Sequence, residues 1–211
     1  MEPPAGTLDA LGEDLQISTN LYGPFLLTKL LYPLVQKTAS TSPPNSCRVS
    51  WAGSIAVDLT SYKPGGVDID KDGKPIHTNK SQATNYGSTK AGNLWIASQF
   101  AKRYAKDDGV VQLCFNPGNL QTELTRHYNW LKAKALGSIL YPSVFGGYTE
   151  LYCAVSPDLN VQSEAQYVVP WGRIGEYRTD IAEALKSEAE GGTGHAAKFW
   201  NWIEKHTAPY A

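Results

Sequence analysis

The chain has 211 residues, of which 42% are hydrophobic and 18% are charged, and its formal net charge at pH 7 is −1. These values are typical of one globular domain covering residues 1–211, and a charge so close to zero offers no basic surface for nucleic acid or for an anionic membrane. No apolar run reaches the ~18 residues of a membrane span, and the first residues show no signal-peptide pattern.

The cysteines and histidines narrow the class of protein further. Cys47, Cys114 and Cys153 are odd in number and form no C-x-x-C pair, which favours reduced thiols in a cytoplasmic protein. The four histidines have no metal-ligand spacing, so we expect no metal site.

The first part of the chain predicts a helix, a strand and a long connection. Leucines at helical spacing predict a helix over 8–37, with a kink or a restart at a central Gly-Pro pair. A loop rich in Ser, Thr and Pro follows, and then a short strand over 47–52 that ends just before Ser54. The polar connection 58–82 is longer than most internal loops, which favours a lid or an insertion.

The remaining pattern alternates helices and strands. A second long helix is predicted over 83–106, and the clearest strand of the chain follows it over 110–115. Further helices are predicted over 120–135, 138–154, 179–188 and 196–206, and a third strand over 166–169. Strands separated by long helices predict an α/β protein with a parallel sheet. The glycine-rich run 191–194 has no strand before it, so we interpret it as a linker and not as a phosphate loop.

Tyr86 and Lys90 lie four residues apart at the start of the second long helix, on one helical face. A neighbouring ammonium stabilises the phenolate and lowers the pKa of a tyrosine from its usual value of about 10. Such a tyrosine can exchange a proton with an alcohol or a ketone near neutral pH. Tyr128 and Lys132 have the same spacing, but no strand-end serine precedes them, so we interpret that pair as a coincidence.

Four motifs occur together and in order. They are N-L-Y-G-P-F-L-L-T-K (20–29), R-V-S-W-A-G-S (48–54), Y-G-S-T-K (86–90) and N-P-G-N-L-Q-T (116–122). With them the chain resembles the short-chain dehydrogenase/reductase family, especially its retinol-dehydrogenase-like and fungal branches. The resemblance implies part of a Rossmann-type, doubly wound parallel sheet. It also implies an NAD- or NADP-dependent oxidoreductase that interconverts a small carbonyl compound, a ketone or an aldehyde, and an alcohol.

The resemblance also implies roles for the residues of the Y-x-x-x-K motif and for two others. Tyr86 would act as the acid–base, and Lys90 would lower its pKa and bind the nicotinamide ribose. Ser54 would donate a hydrogen bond to the substrate carbonyl, and Asn20 would hold a water in the proton relay. Two of these residues also have structural interpretations, since Ser54 can close a strand-end turn and Asn20 can cap an interrupted helix.

Three further residues are implied to lie near the cofactor. Leu120 and Thr122 would line the nicotinamide carboxamide and the diphosphate, and Lys29 matches a basic helix position near the cofactor. The alternatives are that Thr122 caps the following helix and that Lys29 is simply solvated.

The chain departs from the family pattern in one respect. The glycine-rich T-G-x-x-x-G-x-G turn that binds the pyrophosphate and the N-N-A-G motif do not occur in the sequence. The chain therefore resembles a truncated relative that lacks its first, nucleotide-binding half and keeps its catalytic half. We expect it to bind NAD or NADP weakly. Strand 47–52 would then be an exposed edge. Two alternatives stay open: an inactive binding or dimerising module, with a homodimer formed through helices 8–37 and 83–106, and an incomplete gene model.

Overall fold

The computed structural model of the protein describes residues 3–4, 6–77, 81–122, 140–162 and 164–211. In these ranges one sheet contains four strands in the order β1-β2-β3-β4. They are β1 (Arg48–Ala52), β2 (Val111–Phe115), β3 (Gln166–Val169) and β4 (Arg173–Ile174). The first three strands are parallel and β4 is antiparallel to β3, which confirms the predicted α/β fold. The two residues of β4 are too few to show an alternating pattern, so the sequence did not predict it.

Six helices surround the sheet in the described ranges. Helix α1 has three consecutive segments, Leu15–Ile17, the π-helical Ser18–Tyr22 and Gly23–Ala39. The others are α2 (Ala56–Leu59), α3 (Gln82–Phe100), α4 (Val144–Val155), α5 (Thr179–Leu185) and α6 (His195–Thr207). A π-helical segment, Ala101–Ala105, and a last turn, Lys106–Asp108, extend α3. Most of the helix predicted over 120–135 and the start of the one predicted over 138–154 lie outside the described residues.

The central helix of the fold is α3. Its N-cap Ser81 accepts a hydrogen bond from the backbone N–H of Thr84, and Gly109 ends its last extension in a left-handed conformation with φ of 68°. Between these ends the helix is buried from Gly87 to Phe100. This burial arises because α3 packs on β1 and β2 with one side and is covered by α1, α5 and α6 on the others.

The sheet has an apolar layer on each face. On the α3 face, Phe100 is surrounded by the rings of Phe25, Tyr32, Trp51, Tyr104 and Trp200, with centroids 4.8–6.1 Å away. On the other face, α4 covers a smaller cluster that includes Leu113 of β2 and Cys153. Because both faces are covered, all five residues of β2 are buried, as expected for a central parallel strand.

The outer side of the molecule at β1 is less well covered. Within the described sheet β1 is an edge strand, and the neighbouring helix α1 exposes four leucines to between 46% and 63%. They are Leu27, Leu30, Leu31 and Leu34. The sequence pattern predicts one apolar stripe that contains Leu21, Phe25 and the last three of these leucines. The structure buries Leu21 and Phe25 as predicted, but it leaves those three leucines exposed. The homodimer through helices 8–37 and 83–106 stays a prediction, and in it α1 would supply the apolar surface, because α3 is buried.

None of the helices in the described ranges combines the length and the hydropathy that crossing a membrane requires.

Candidate active site

The candidate site lies where β1 and β2 end, at one edge of the parallel sheet. Ser54 follows β1, and its hydroxyl oxygen accepts a hydrogen bond from the backbone N–H of Ala56 at 3.2 Å. This bond is the turn role that the sequence left open for Ser54. The main-chain oxygen of Ser54 accepts a second bond from the hydroxyl of Tyr167 at 3.3 Å. One hydrogen bond to its side chain and one to its backbone therefore fix the position of the half-buried Ser54.

Tyr86 and Lys90 lie on the first turns of α3, as predicted. The Lys90 Nζ is 5.7 Å from the centroid of the Tyr86 ring, within reach of an electrostatic interaction with the phenol. The same Nζ donates to the main-chain oxygen of Ala52 at 3.0 Å, and Asn93 Nδ2 donates to this oxygen at 3.0 Å as well. Lys90 thus connects the helix that carries Tyr86 with the strand end that leads to Ser54.

Lys90 is only 4% exposed, and burial lowers the pKa of its ammonium, while the nearby thiol of Cys114 acts in the opposite direction. Burying a cation costs free energy because water no longer solvates it. A buried titratable group with a shifted pKa is characteristic of functional sites. The burial of Lys90 therefore makes it a candidate for a functional role rather than a stabilising one.

The substitution Lys90→Met tests this interpretation. Methionine has a similar length and no charge, so we expect the free energy of unfolding to stay equal or to rise by roughly 0.5–2 kcal/mol. Urea denaturation of the two chains measures the difference. A loss of more than about 1 kcal/mol, the usual size of a destabilising substitution, would show that Lys90 has a structural role instead.

Gly87 allows α3 to approach the segment that follows Ser54. A Cβ at this position would lie 2.6 Å from the backbone nitrogen of Ser61 and 2.7 Å from the main-chain oxygen of Ala56. Two hydrogen bonds join the same surfaces: Thr60 Oγ1 donates to the main-chain oxygen of Ala83 at 3.0 Å, and the Tyr62 N–H donates to Ser88 Oγ at 3.2 Å. A glycine next to Tyr86 is thus a packing requirement of the site.

We expect Gly87→Ala to destabilise the chain by about 1–3 kcal/mol, because backbone atoms on both sides must move apart to admit the methyl group. Gly147→Ala is the matched control, since a Cβ at that position of α4 meets nothing within 4 Å. Alanine there should be neutral or stabilising by up to about 1 kcal/mol. Urea denaturation compares the two variants, and equal effects would contradict the close approach at Gly87.

Asn20 lies in the π-helical segment of α1, a kind of turn that is frequent at functional sites. Its Nδ2 donates to Thr89 Oγ1 at 3.0 Å, and Thr89 in turn donates to the main-chain oxygen of Tyr86 at 2.8 Å. Asn20 and Lys90 line the same cavity of about 300 Å³ beside the edge of β1. The structure therefore brings Asn20 to the Tyr86–Lys90 pair.

Leu120 and Thr122 follow β2 and lie at the same edge of the sheet as Ser54. Leu120 pairs with Tyr141 in an isolated parallel bridge and packs against Gly146 of α4. Before them, Gly118 has φ of 103° and donates its N–H to Asn116 Oδ1 at 2.9 Å, so the turn after β2 is well defined. These contacts place Leu120 between the end of β2 and α4, and the predicted roles of Leu120 and Thr122 toward a cofactor stay predictions.

Lys29 is not brought to this group. Its Nζ forms an ion pair with Glu204 of α6 at 2.7 Å and lies over the rings of Tyr104 and Trp200 at 5.8 and 5.9 Å. These contacts stabilise the packing of α1 against α6. They do not support a position of Lys29 next to the cofactor, and they also correct the alternative that this side chain is simply solvated.

Two further sequence predictions concern the pair Tyr128 and Lys132 and the glycine-rich run 191–194. Tyr128 and Lys132 lie outside the described residues. In the run 191–194, Gly191 and Gly194 have φ of 80° and 67°, and they end a 3₁₀ turn and begin α6. This run is therefore a linker, as predicted.

Three residues at the site were missed in the sequence. Asn93 follows Lys90 by three positions, so helical spacing could have placed it on the same face. Tyr167 and Arg178 contact the Ser54 segment from more than 100 residues away, and no local pattern indicates such contacts.

Several curated proteins that are similar to this chain carry the same family name, short-chain dehydrogenase/reductase. A short-chain dehydrogenase/reductase of Phomopsis amygdali is 42% identical over 205 residues, which cover 95% of this chain and 60% of the relative. Short-chain dehydrogenase/reductase bet4 of Neocamarosporium betae is 38% identical over 95% of this chain and 57% of its own length. Short-chain dehydrogenase/reductase pkfC of Emericella nidulans is 35% identical over the whole of this chain and 64% of its own length. The chain thus spans about 60% of the length of the curated relatives it matches. No family model matches it.

Proposed function

Because the chain belongs to the short-chain dehydrogenase/reductase family, we propose that it carries the proton-transfer half of an NAD- or NADP-dependent carbonyl reductase or alcohol dehydrogenase. The observation that supports this proposal is the position of Lys90. A buried ammonium lies 5.7 Å from the Tyr86 ring centroid and contacts the strand end just before Ser54.

The described residues fit one end of a nicotinamide cofactor. Lys90 has three N–H donors, of which Ala52 accepts one, so donors remain with which it can bind ribose hydroxyls. For the pyrophosphate, the sequence contains no glycine-rich turn of the family type. When bound, the cofactor supplies or accepts the hydride.

In this proposal the protein moves the proton. Tyr86 donates its phenolic proton to the substrate oxygen as a carbonyl is reduced, and it accepts the proton in the reverse direction. Lys90 stabilises the phenolate that remains, and Ser54 donates a hydrogen bond to the same substrate oxygen. Asn20 and Thr89 hold the turn of α3 behind Tyr86.

A second candidate function is a binding or dimerising module without catalysis. The exposed leucines of α1 and the edge position of β1 favour it, because both are surfaces on which another chain can pack. The two candidates differ in one measurable respect, which is whether the site can turn over a carbonyl compound.

The test uses the chain alone and the chain joined to an N-terminal segment of the family type that contains the glycine-rich T-G-x-x-x-G-x-G turn. Calorimetric titration with NADH and NADPH should show weak or no binding for the chain alone and clear binding for the joined protein. The joined protein should then oxidise NADPH or NADH in the presence of ketones or aldehydes. Cofactor binding without turnover of any carbonyl or alcohol would favour the module. Low-micromolar binding by the chain alone would contradict the expected weak affinity.

A further inference from the structure

The segment that follows Ser54 is held by an arginine from the C-terminal part of the chain. Arg178, the residue just before α5, donates through Nη1 to the main-chain oxygen of Val57 at 3.0 Å and to Ser61 Oγ at 3.0 Å. Its Nη2 donates to the main-chain oxygen of Tyr62 at 2.8 Å. The guanidinium thus binds carbonyl oxygens at α2 and in the turn that follows it, where a cation is favourable.

Asp180 fixes the orientation of this guanidinium and extends the contact. Its two carboxylate oxygens accept from Arg178 Nε at 2.6 Å and from Nη2 at 2.9 Å, a two-point pairing that restricts rotation. The oxygen Oδ2 also accepts the backbone N–H of Gly65 at 2.7 Å. The hydrogen bonds from Arg178 lower the pKa of Asp180 to about 2, so the pair is charged at neutral pH.

The residues held in this way pack against α3 next to Tyr86, at Gly87 and Ser88. The segment from Val57 to Gly65 begins three residues after Ser54, and it includes Ser61, which contacts α3 where Gly87 leaves room. Tyr167 holds the near end of the same segment through Ser54 and Asp58. The Arg178–Asp180 pair holds its far end.

We propose that Arg178 and Asp180 are positioning residues that hold the Ser54 hydroxyl in a fixed position relative to Tyr86 on α3. The catalytic benefit of this positioning rests on the proposed function, because only that function requires Ser54 to bind the substrate oxygen. The placement itself is a structural property and can be measured without turnover.

The first experiment measures the position of residue 54 in the 211-residue chain through a thiol introduced by Ser54→Cys. Its alkylation by iodoacetamide is followed by peptide-resolved mass spectrometry, with the partly exposed Cys47 as an internal reference in the same molecule. Adding Arg178→Ala should change the alkylation rate at position 54 by about 5- to 30-fold, while Cys47 reacts as before. Millimolar guanidinium chloride should restore the parent rate.

Arg173→Ala is the matched control, because Arg173 is an exposed arginine of β4 whose side chain forms hydrogen bonds only with the main-chain oxygen of Pro170 among the described residues. It should leave the rate at position 54 within a factor of about two of the parent. If Arg178→Ala also makes the buried Cys114 and Cys153 reactive, the chain has unfolded as a whole. The alkylation rate is then measured in Asp180→Asn, which keeps the arginine but weakens its pairing, and the same change at position 54 is expected. An unchanged rate at position 54 in the folded variant overturns the proposal.

The second experiment uses the joined protein with native Ser54 and concerns the reaction. Arg178→Ala should lower kcat by about 10- to 100-fold with little change in the KM for the nicotinamide cofactor, and guanidinium should restore part of the loss. Equal kcat values for Arg178→Ala and the parent overturn the positioning role. If the parent itself shows no turnover, the proposed function fails, while the alkylation rates still decide whether the pair positions residue 54.

Discussion

Replacing Tyr86 by phenylalanine is expected to lower kcat of the joined protein by about 10²- to 10⁴-fold, the usual contribution of a general acid–base group. Phenylalanine keeps the ring that lies 5.7 Å from Lys90 Nζ but removes the only proton that this side chain can transfer. Cofactor affinity should change little, because Lys90 keeps its place in the same helix. The measurement is the steady-state rate of carbonyl reduction together with the calorimetric affinity for the cofactor.

Tyr210→Phe is the control for this change, since it removes the same hydroxyl from an exposed tyrosine near the C-terminus. Its kcat should equal that of the parent. If Tyr86→Phe kept more than about a tenth of the parent kcat, another group would have to supply the proton, and the assignment of Tyr86 as the acid–base would be wrong.

Phe100→Ala is expected to cause the largest loss of stability, about 3–5 kcal/mol in the free energy of unfolding. Phe100 is completely buried, and its ring touches rings from α1, β1, the extension of α3, and α6. Its removal leaves a cavity that several rigid aromatic neighbours cannot fill. A domain is typically stable by only 5–15 kcal/mol, so much of the stability would be lost. Urea denaturation followed by tryptophan fluorescence measures the change.

Phe145→Ala makes the same substitution at a half-buried position of α4, where the neighbouring rings of Tyr141 and Trp171 are themselves exposed. Its cost should be only about 1 kcal/mol. Similar losses for the two variants would mean that the aromatic cluster around Phe100 is not the main core of the chain.

Much of the local structure follows from sequence patterns that act over a few residues. The strands predicted over 110–115 and 166–169 occur as β2 and β3, because apolar and β-branched residues between turn signals can bury both faces of a strand. Tyr86 and Lys90 share a face of α3 because a helical repeat brings residues four apart together. The parallel sheet follows from strands that alternate with long helices.

The tertiary structure decided which of these residues meet, because contacts between distant segments have no local signature. The apolar stripe predicted for α1 is buried only in part, because the packing on α3 and α6 covers Leu21 and Phe25 and leaves its leucines from Leu30 to Leu34 exposed. Lys29 matches a cofactor position in the sequence, but the nearness of Glu204, 175 residues later, draws it into the packing with α6. Likewise, Arg178 reaches the segment after Ser54 across more than 100 residues, since the start of α5 lies beside α2 only in the folded chain.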